Sequence, residues 1–186
     1  MIRVIYAVGS TCLGLLMASA VQAADLSGNT GPRHEVRGGV MYHDTMNRES
    51  GVDLNVEYLS RFAAFDLFVP VVQWRATFRP HVGGSLNTAG HTSFVYGGYS
   101  LTLDLTDRIF VEGSFGGMVH NGVHVSADRS RLSLGCNVMF RESASVGFRI
   151  NDQINVSAMV EHGSNAGMCE ANNGITNAGV RVGYTF

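Results

Sequence analysis

The C-terminal segment of the chain alternates between two kinds of side chain with a period of two residues. One set is apolar and the other is small or polar; they are Ala178, Val180, Val182, Tyr184 and Phe186 against Asn177, Gly179, Arg181, Gly183 and Thr185. Successive side chains of a β-strand point to opposite faces, so this pattern predicts a strand with one apolar face. Residues 153–160 repeat the pattern. The fold must bury each apolar face or place it against lipid.

The composition indicates that the apolar faces of the strands lie against lipid. Only 15% of the residues are charged, whereas 23 of 186 are Gly and 45% are hydrophobic; a soluble domain carries roughly a quarter charged residues. The net charge of -2 excludes a basic surface for nucleic acid, and the apolar content excludes disorder. After the N-terminal segment no apolar run approaches the length of a membrane-spanning helix. An exported β-barrel, with its apolar face toward lipid and a polar lumen, fits both observations.

The alternation predicts an all-β fold, an eight-stranded antiparallel transmembrane β-barrel of the outer membrane. The predicted strands are 34–42, 52–59, 73–85, 92–105, 108–118, 132–150, 153–164 and 176–186. Long and short connections alternate, as they do in such barrels: 106–107 and 151–152 are tight turns, whereas 43–51, 119–131 and 165–175 are long polar loops. The exception is 60–72, which should be short but is long and apolar. Both termini are expected in the periplasm.

Residues 1–23 read as a secretory signal peptide, and 24–186 as the barrel. Arg3 precedes a charge-free, mostly apolar stretch that ends in the cleavage pattern Val21-Gln22-Ala23. The alternative is a membrane anchor. Cleavage removes Cys12 and leaves Cys136 and Cys169, an even number in an oxidising compartment. These two cysteines are candidates for a disulfide between adjacent strands, and two free buried thiols are the alternative.

Two polar residues extend the outward, apolar face of the seventh predicted strand. Val156, Ala158 and Val160 are followed in the same phase by His162 and Ser164. A His beside a Ser is the pair that makes a hydroxyl nucleophilic, because the imidazole takes its proton. The amide of Asn165 and the backbone N–H of Gly167, which follow directly, could stabilise an oxyanion. The alternative is that both residues are polar groups of the membrane interface.

The run His162-Gly163-Ser164-Asn165-Ala166-Gly167, followed by Asn172-Asn173-Gly174-Ile175 and a strand ending in Phe186, resembles the PagL-type lipid A 3-O-deacylases. The resemblance implies an outer-membrane esterase that removes the acyl chain at the 3-position of lipid A, a lipid of the outer leaflet. By position, Ser164 is then the nucleophile, His162 the general base, and Asn165 with the Gly167 N–H the oxyanion hole. No cofactor is implied.

The resemblance leaves the third member of the triad open. The family's acid belongs directly after the Gly-Ile pair, where this chain has Thr176. Thr176 could hold the imidazole through its hydroxyl, Glu170 in the preceding loop could supply the carboxylate, or the barrel could be a catalytically weak or silent structural protein. Loss of a triad acid can lower the rate by several orders of magnitude.

Other polar residues have less definite assignments. Glu142 shares the phase of outward residues, where a charge is costly; a β-bulge would re-aim it into the lumen. Glu161 has inward phase, and Arg181 is its expected partner. His120 and His124 lie in a predicted loop without an acidic third ligand, so no metal site is expected.

The expected partners are lipids and the export apparatus. Lipid A is the expected substrate and the outer membrane the expected environment. Phe186 is a terminal aromatic residue in phase with the outward face, which resembles the signal read by the barrel-assembly machinery. No nucleic acid is expected, and the oligomeric state stays open, a homodimer included.

Overall fold

The computed structural model describes residues 31–70 and 74–186. Their secondary structure consists of nine β-strands: β1 Glu35–Tyr42, β2 Val52–Leu59, β3 Phe65–Val69, β4 Trp74–Asn87, β5 Phe94–Asp104, β6 Ile109–His120, β7 Val138–Arg149, β8 Ile154–Ser164 and β9 Ile175–Thr185. Within these residues no helix is long and apolar enough to cross a membrane. The predicted signal peptide, 1–23, lies outside the described residues.

The strands form one closed antiparallel sheet. Each strand from β4 to β9 pairs with the next, β9 pairs with β1, β1 with β2, and β2 with β4. Both β2 and β3 pair with β4, β2 along 81–87 and β3 along 74–78, so the two occupy a single position in the barrel. The prediction of an eight-stranded antiparallel barrel is confirmed.

The segment 60–72, predicted as a long connection, contains a strand, β3, at Phe65–Val69. The second barrel strand is interrupted over 60–64, where Ala63 adopts a positive φ of 58°, and resumes as β3. Only four residues separate the end of β3 at Val69 from the start of β4 at Trp74, so short and long intervals between strands alternate. Phe65 stacks on Phe78 of β4, with ring centroids 4.8 Å apart. Four of the apolar residues that looked anomalous for a loop, Phe65, Leu67, Phe68 and Val69, belong to this strand.

The sixth predicted strand begins later than expected, at Val138 instead of 132. Residues 121–137 form a long loop, and its apolar side chains Leu132 and Leu134 are fully buried. They pack in a cluster with Phe94, Tyr96, Met118, Met139 and Ile175. Apolar residues at 132 and 134 continued the strand pattern, but their burial comes from packing against inward side chains near the ends of four strands.

A balanced cluster of charges fills the centre of the lumen. Three arginines, Arg37, Arg79 and Arg181, meet three carboxylates, Glu35, Glu57 and Glu112, all of them buried. Arg181 bonds Glu57 at 2.8 Å, whereas Glu161 bonds Arg141 at 2.7 Å. The predicted Glu161–Arg181 pair is therefore wrong, because both residues point inward but have nearer partners of opposite charge.

Candidate active site on the outer wall

The outer wall of the barrel is apolar except at one place. By the strand register, the outward positions of the nine described strands carry aliphatic and aromatic residues, Gly, Ala and Pro, apart from Glu142, His162, Ser164 and Thr176. These four residues come from three adjacent strands, β7, β8 and β9. The polar groups of the wall thus form a single cluster, near the end of the barrel that carries the long loops.

Strand pairing places three of the four residues in one row. Glu142 is the partner of His162 across the β7–β8 pair, and Thr176 is the partner of His162 across the β8–β9 pair. Ser164 lies one step further toward the loops, opposite Phe140. The β6–β7 and β7–β8 registers run residue for residue past Glu142. The bulge considered for Glu142 does not occur, and its side chain is exposed on the outer wall.

His162 is held from the β9 side. Its Nδ1 forms a hydrogen bond of 2.8 Å with Thr176 Oγ1. Gly174, with a φ of 64°, approaches the ring so closely that an added Cβ would lie 2.9 Å from Cε1. A larger residue at 174 would adopt a strained backbone and push the ring away. The Asn-Asn-Gly-Ile run thus contributes a glycine that the position of His162 requires.

Ser164 is partly exposed beside His162 on the same face. Positions i and i+2 of a strand are about 6.5–7 Å apart, so the two side chains are neighbours. Among the hydrogen bonds of the described residues, none joins Ser164 to His162. Catalytic hydrogen bonds are often long without substrate and tighten when it binds.

The turn after Ser164 is built around Asn165, which is fully buried. Its Nδ2 donates to the carbonyl oxygens of Leu134 (2.8 Å) and Ala171 (2.6 Å), and its Oδ1 accepts the N–H of Gly167 at 2.9 Å. Both predicted oxyanion donors are therefore engaged within the loop. The N–H of Ala166, between them, has no acceptor among the described residues.

A disulfide ties this loop to the loop before β7. Cys136 and Cys169 are bonded, with an S–S distance of 2.02 Å and a Cα–Cα distance of 6.0 Å. Glu170, the next residue, is exposed, and no ion pair or hydrogen bond joins it to His162 in the described part of the chain. The structure therefore does not bring together Glu170 and the imidazole.

The disulfide makes a direct prediction about thiol content. Protein purified from the outer membrane should bind no alkylating reagent when denatured without reductant, and two equivalents after reduction, as counted by intact-protein mass spectrometry. Alkylation of both cysteines before reduction would contradict the bond.

The loop 43–51 supports the site from above, a role that the sequence did not reveal. Arg48, paired with Asp44, donates to the carbonyl oxygens of Asn173 (2.8 Å) and Gly174 (3.2 Å). Glu49 of the same loop accepts the N–H groups of Thr92 and Leu132. Burial opposes its ionisation, but hydrogen bonds from His43 and from these N–H groups lower the pKa of Glu49 to about 2. Glu49 therefore links three loops as a permanent anion.

His120 and His124 bond to neighbouring groups. His120 Nε2 meets the Cys136 carbonyl at 2.7 Å, and His124 Nε2 meets Asn137 Oδ1. No group of three or more metal-ligating side chains occurs within residues 31–70 and 74–186.

Comparisons with known proteins identify the fold and the family. The crystal structure of the outer membrane enzyme PagL superposes with a TM-score of 0.65 at 18% identity, over 82% of this chain and 99% of that one. A de novo designed transmembrane β-barrel superposes with a TM-score of 0.52 at 13% identity, over 85% and 98% of the two chains. Comparison with curated protein sequences gave no significant match. The family model "Lipid A 3-O-deacylase (PagL)" matches residues 63–185, so the chain belongs to the PagL family of lipid A 3-O-deacylases.

Proposed function

We propose that this chain hydrolyses the 3-O-linked acyl ester of lipid A, with Ser164 as nucleophile and His162 as general base. One observation carries the assignment. In a wall whose outward positions are apolar throughout the described strands apart from one cluster, His162 and Ser164 are adjacent members of that cluster on the outward face of β8. A polar pair on that face is exposed to lipid and to nothing in the lumen, so its substrate must be a membrane lipid.

The chemistry follows from the two side chains. His162 Nε2 takes the proton of Ser164 Oγ as the oxygen attacks the ester carbonyl carbon. The tetrahedral intermediate collapses by breaking the bond to the 3-oxygen of lipid A, which receives that proton and leaves as an alcohol. Water then attacks the acyl-serine, His162 takes the water's proton and returns it to Ser164, and the free fatty acid departs. Side chains and water supply every step.

The oxyanion of each tetrahedral intermediate is assigned to the turn Asn165–Gly167. The free N–H of Ala166 is the donor already available there, and the Gly167 N–H joins it if the Asn165 Oδ1 contact is exchanged for the oxyanion. The role of Asn165 is then to hold the turn through Leu134 and Ala171. The Ala166 N–H is preorganised and can stabilise developing negative charge without reorganisation, whereas the Gly167 N–H must first exchange its acceptor.

The test is the mass of lipid A in cells that make the protein. Cells with the wild-type chain should contain lipid A lacking one 3-hydroxyacyl group, and cells with Ser164→Ala should contain intact lipid A. Heat-dependent electrophoretic mobility checks that both barrels assemble. Unmodified lipid A in both strains, with both barrels assembled, would favour the silent structural barrel.

We further propose how the chain reaches the membrane. Residues 1–23 act as the export signal, and Phe186 is read by the barrel-assembly machinery. Support for the second role is that Phe186 follows β9 in phase with the outward Val180, Val182 and Tyr184 and is itself exposed. Deletion of Phe186 should lower the yield of assembled barrel and leave the activity per assembled molecule unchanged.

A further inference from the structure

We infer that Glu142 is the carboxylate partner of His162, acting from the strand before the catalytic strand while Thr176 holds the ring from the strand after it. Glu142 is a positioning residue: its charge stabilises the imidazolium that forms when His162 takes the serine proton. This inference rests on the proposed function and assigns the role of the absent triad acid.

The register gives Glu142 the necessary proximity. It is the direct cross-strand partner of His162, and both side chains leave the same face of the sheet. Directly opposed residues in antiparallel strands have Cβ atoms about 4.5–5.5 Å apart. The glutamate chain has two more carbons with which to approach the imidazole. No backbone change is needed for contact, because the register around Glu142 is regular.

The surroundings of Glu142 give it no other partner of opposite charge. Its neighbour across the β6–β7 pair is Phe115, and the next outward residues along β7 are Phe140 and Ala144. None of the ion pairs or hydrogen bonds of the described residues includes Glu142, so its pairing with His162 is inferred from the strand register. A carboxylate among aromatic and aliphatic groups on a lipid-facing wall is destabilising unless a cation forms beside it. His162 is the group in its row that can become that cation.

Two other carboxylates near β8 are bonded to other groups, and Glu170, in the loop after β8, is exposed without a bond to His162. Glu161 points into the lumen and bonds Arg141 and Asn177. Asp44 bonds Arg48, whose guanidinium contacts the carbonyl groups of Asn173 and Gly174 behind the ring. The charged groups near His162 are thus Glu142 from β7 and the Asp44–Arg48 pair from the loop above β9, whereas Thr176 on β9 is neutral.

Thr176 on β9 and Glu142 on β7, on either side of His162, each perform one of the two roles of a triad acid. The hydroxyl of Thr176 meets Nδ1 and so can fix the ring orientation and the tautomer that leaves Nε2 free as a base. A hydroxyl brings no charge, so it cannot offset the imidazolium. Glu142 supplies that charge from the other side, where the low dielectric of the lipid strengthens the attraction.

The experiment compares pH–rate profiles of purified enzyme in mixed micelles of lipid A and detergent. Glu142→Gln should lower kcat about 10- to 100-fold and move the acid limb of kcat/KM to lower pH by about 1 unit, because the imidazolium loses its anionic neighbour. Glu142→Asp should restore part of the rate. The double variant Glu142→Gln, Thr176→Glu, which moves the carboxylate to the other flank, should restore both rate and profile. Asp107→Asn, at the opposite end of the barrel, is the matched control for loss of one charge.

The outcomes separate this inference from the proposed function. A wild-type enzyme that releases no fatty acid removes the proposed function itself. An active wild type with an unchanged rate and acid limb in Glu142→Gln overturns the role of Glu142 and leaves Ser164 and His162 in place. A lower rate with an unmoved acid limb and no recovery in the Thr176→Glu double variant marks Glu142 as structural only, which also overturns the inference.

Discussion

His162→Asn is expected to lower kcat by a factor of about 10³ to 10⁶, and the double variant Ser164→Ala, His162→Asn is expected to be no slower than either single variant. The reason is that the two side chains act as one unit. A serine without its base is a poor nucleophile, and a base without the serine has no proton to take. Residual catalysis comes from the oxyanion donors and from substrate binding.

The measurement is release of 3-hydroxy fatty acid from purified lipid A, followed by mass spectrometry. Ser157→Ala is the matched control, because Ser157 lies on β8 with inward phase and its Oγ has no hydrogen-bond partner among the described groups. It should keep the wild-type rate. Losses that multiply in the double variant would mean that His162 and Ser164 act independently, which would contradict their assignment to one nucleophilic unit.

Arg37→Met should lower the free energy of unfolding by about 3–5 kcal/mol. Arg37 is 1% exposed and bonds Glu35, Glu57 and Glu112. Its removal leaves three carboxylates with two arginines, so one negative charge stays buried without compensation. A double variant that also carries Glu112→Gln restores neutrality and should recover much of the loss, although Glu112 accepts from Thr102 as well.

Urea unfolding in detergent micelles can measure this effect, with the fluorescence of Trp74, the single tryptophan, and electrophoretic mobility as two signals. Asp107→Asn, an exposed charge at a turn, should change the free energy of unfolding by less than about 0.5 kcal/mol. A single variant as stable as wild type would show that the charge cluster contributes no net stability, and equal losses in the single and double variants would show that charge balance is not the cause.

The barrel was predictable because its two faces meet different solvents. Alternation such as Val180–Arg181–Val182 indicates lipid on one side of the strand and a polar lumen on the other. The same alternation along β8 predicted the outward phase of His162 and Ser164. The family match confirms the resemblance seen in His162–Gly167 and Asn172–Ile175, and with it the predictions of a lipid A deacylase and of an outer-membrane location.

The incorrect predictions have a common physical cause. The alternation of apolar and polar residues shows which face of the sheet a side chain occupies, but it does not show which residue that side chain contacts. Leu132 kept the strand phase, yet it is buried beneath a loop. Glu161 was correctly placed inward but given the wrong arginine, since several arginines share the lumen. The oxyanion role of Asn165 stays a prediction, and alternation could not reveal that its Nδ2 bonds two carbonyl groups that lie 6 and 31 residues away in sequence.

The position of Glu142 shows the same limit. Its outward phase was readable, but its alignment with His162 depends on the exact length of the β7–β8 connection, which spans 150–153 and not the predicted 151–152. Because a charge on a lipid-facing wall is costly, the sequence suggested a β-bulge that would turn Glu142 into the lumen. Strand register makes Glu142 the cross-strand neighbour of His162, the proposed general base.

The proposed site, His162 and Ser164, lies on the outer wall, so the enzyme meets its substrate within the plane of the membrane. Encounter takes place by lateral diffusion within a leaflet, so the variable that governs the rate is the surface density of lipid A and not its bulk concentration. In detergent, adding micelles at constant lipid A should slow the reaction by surface dilution. Both products are amphiphiles that diffuse laterally into the same leaflet. There the released fatty acid competes with lipid A for binding to the outer wall.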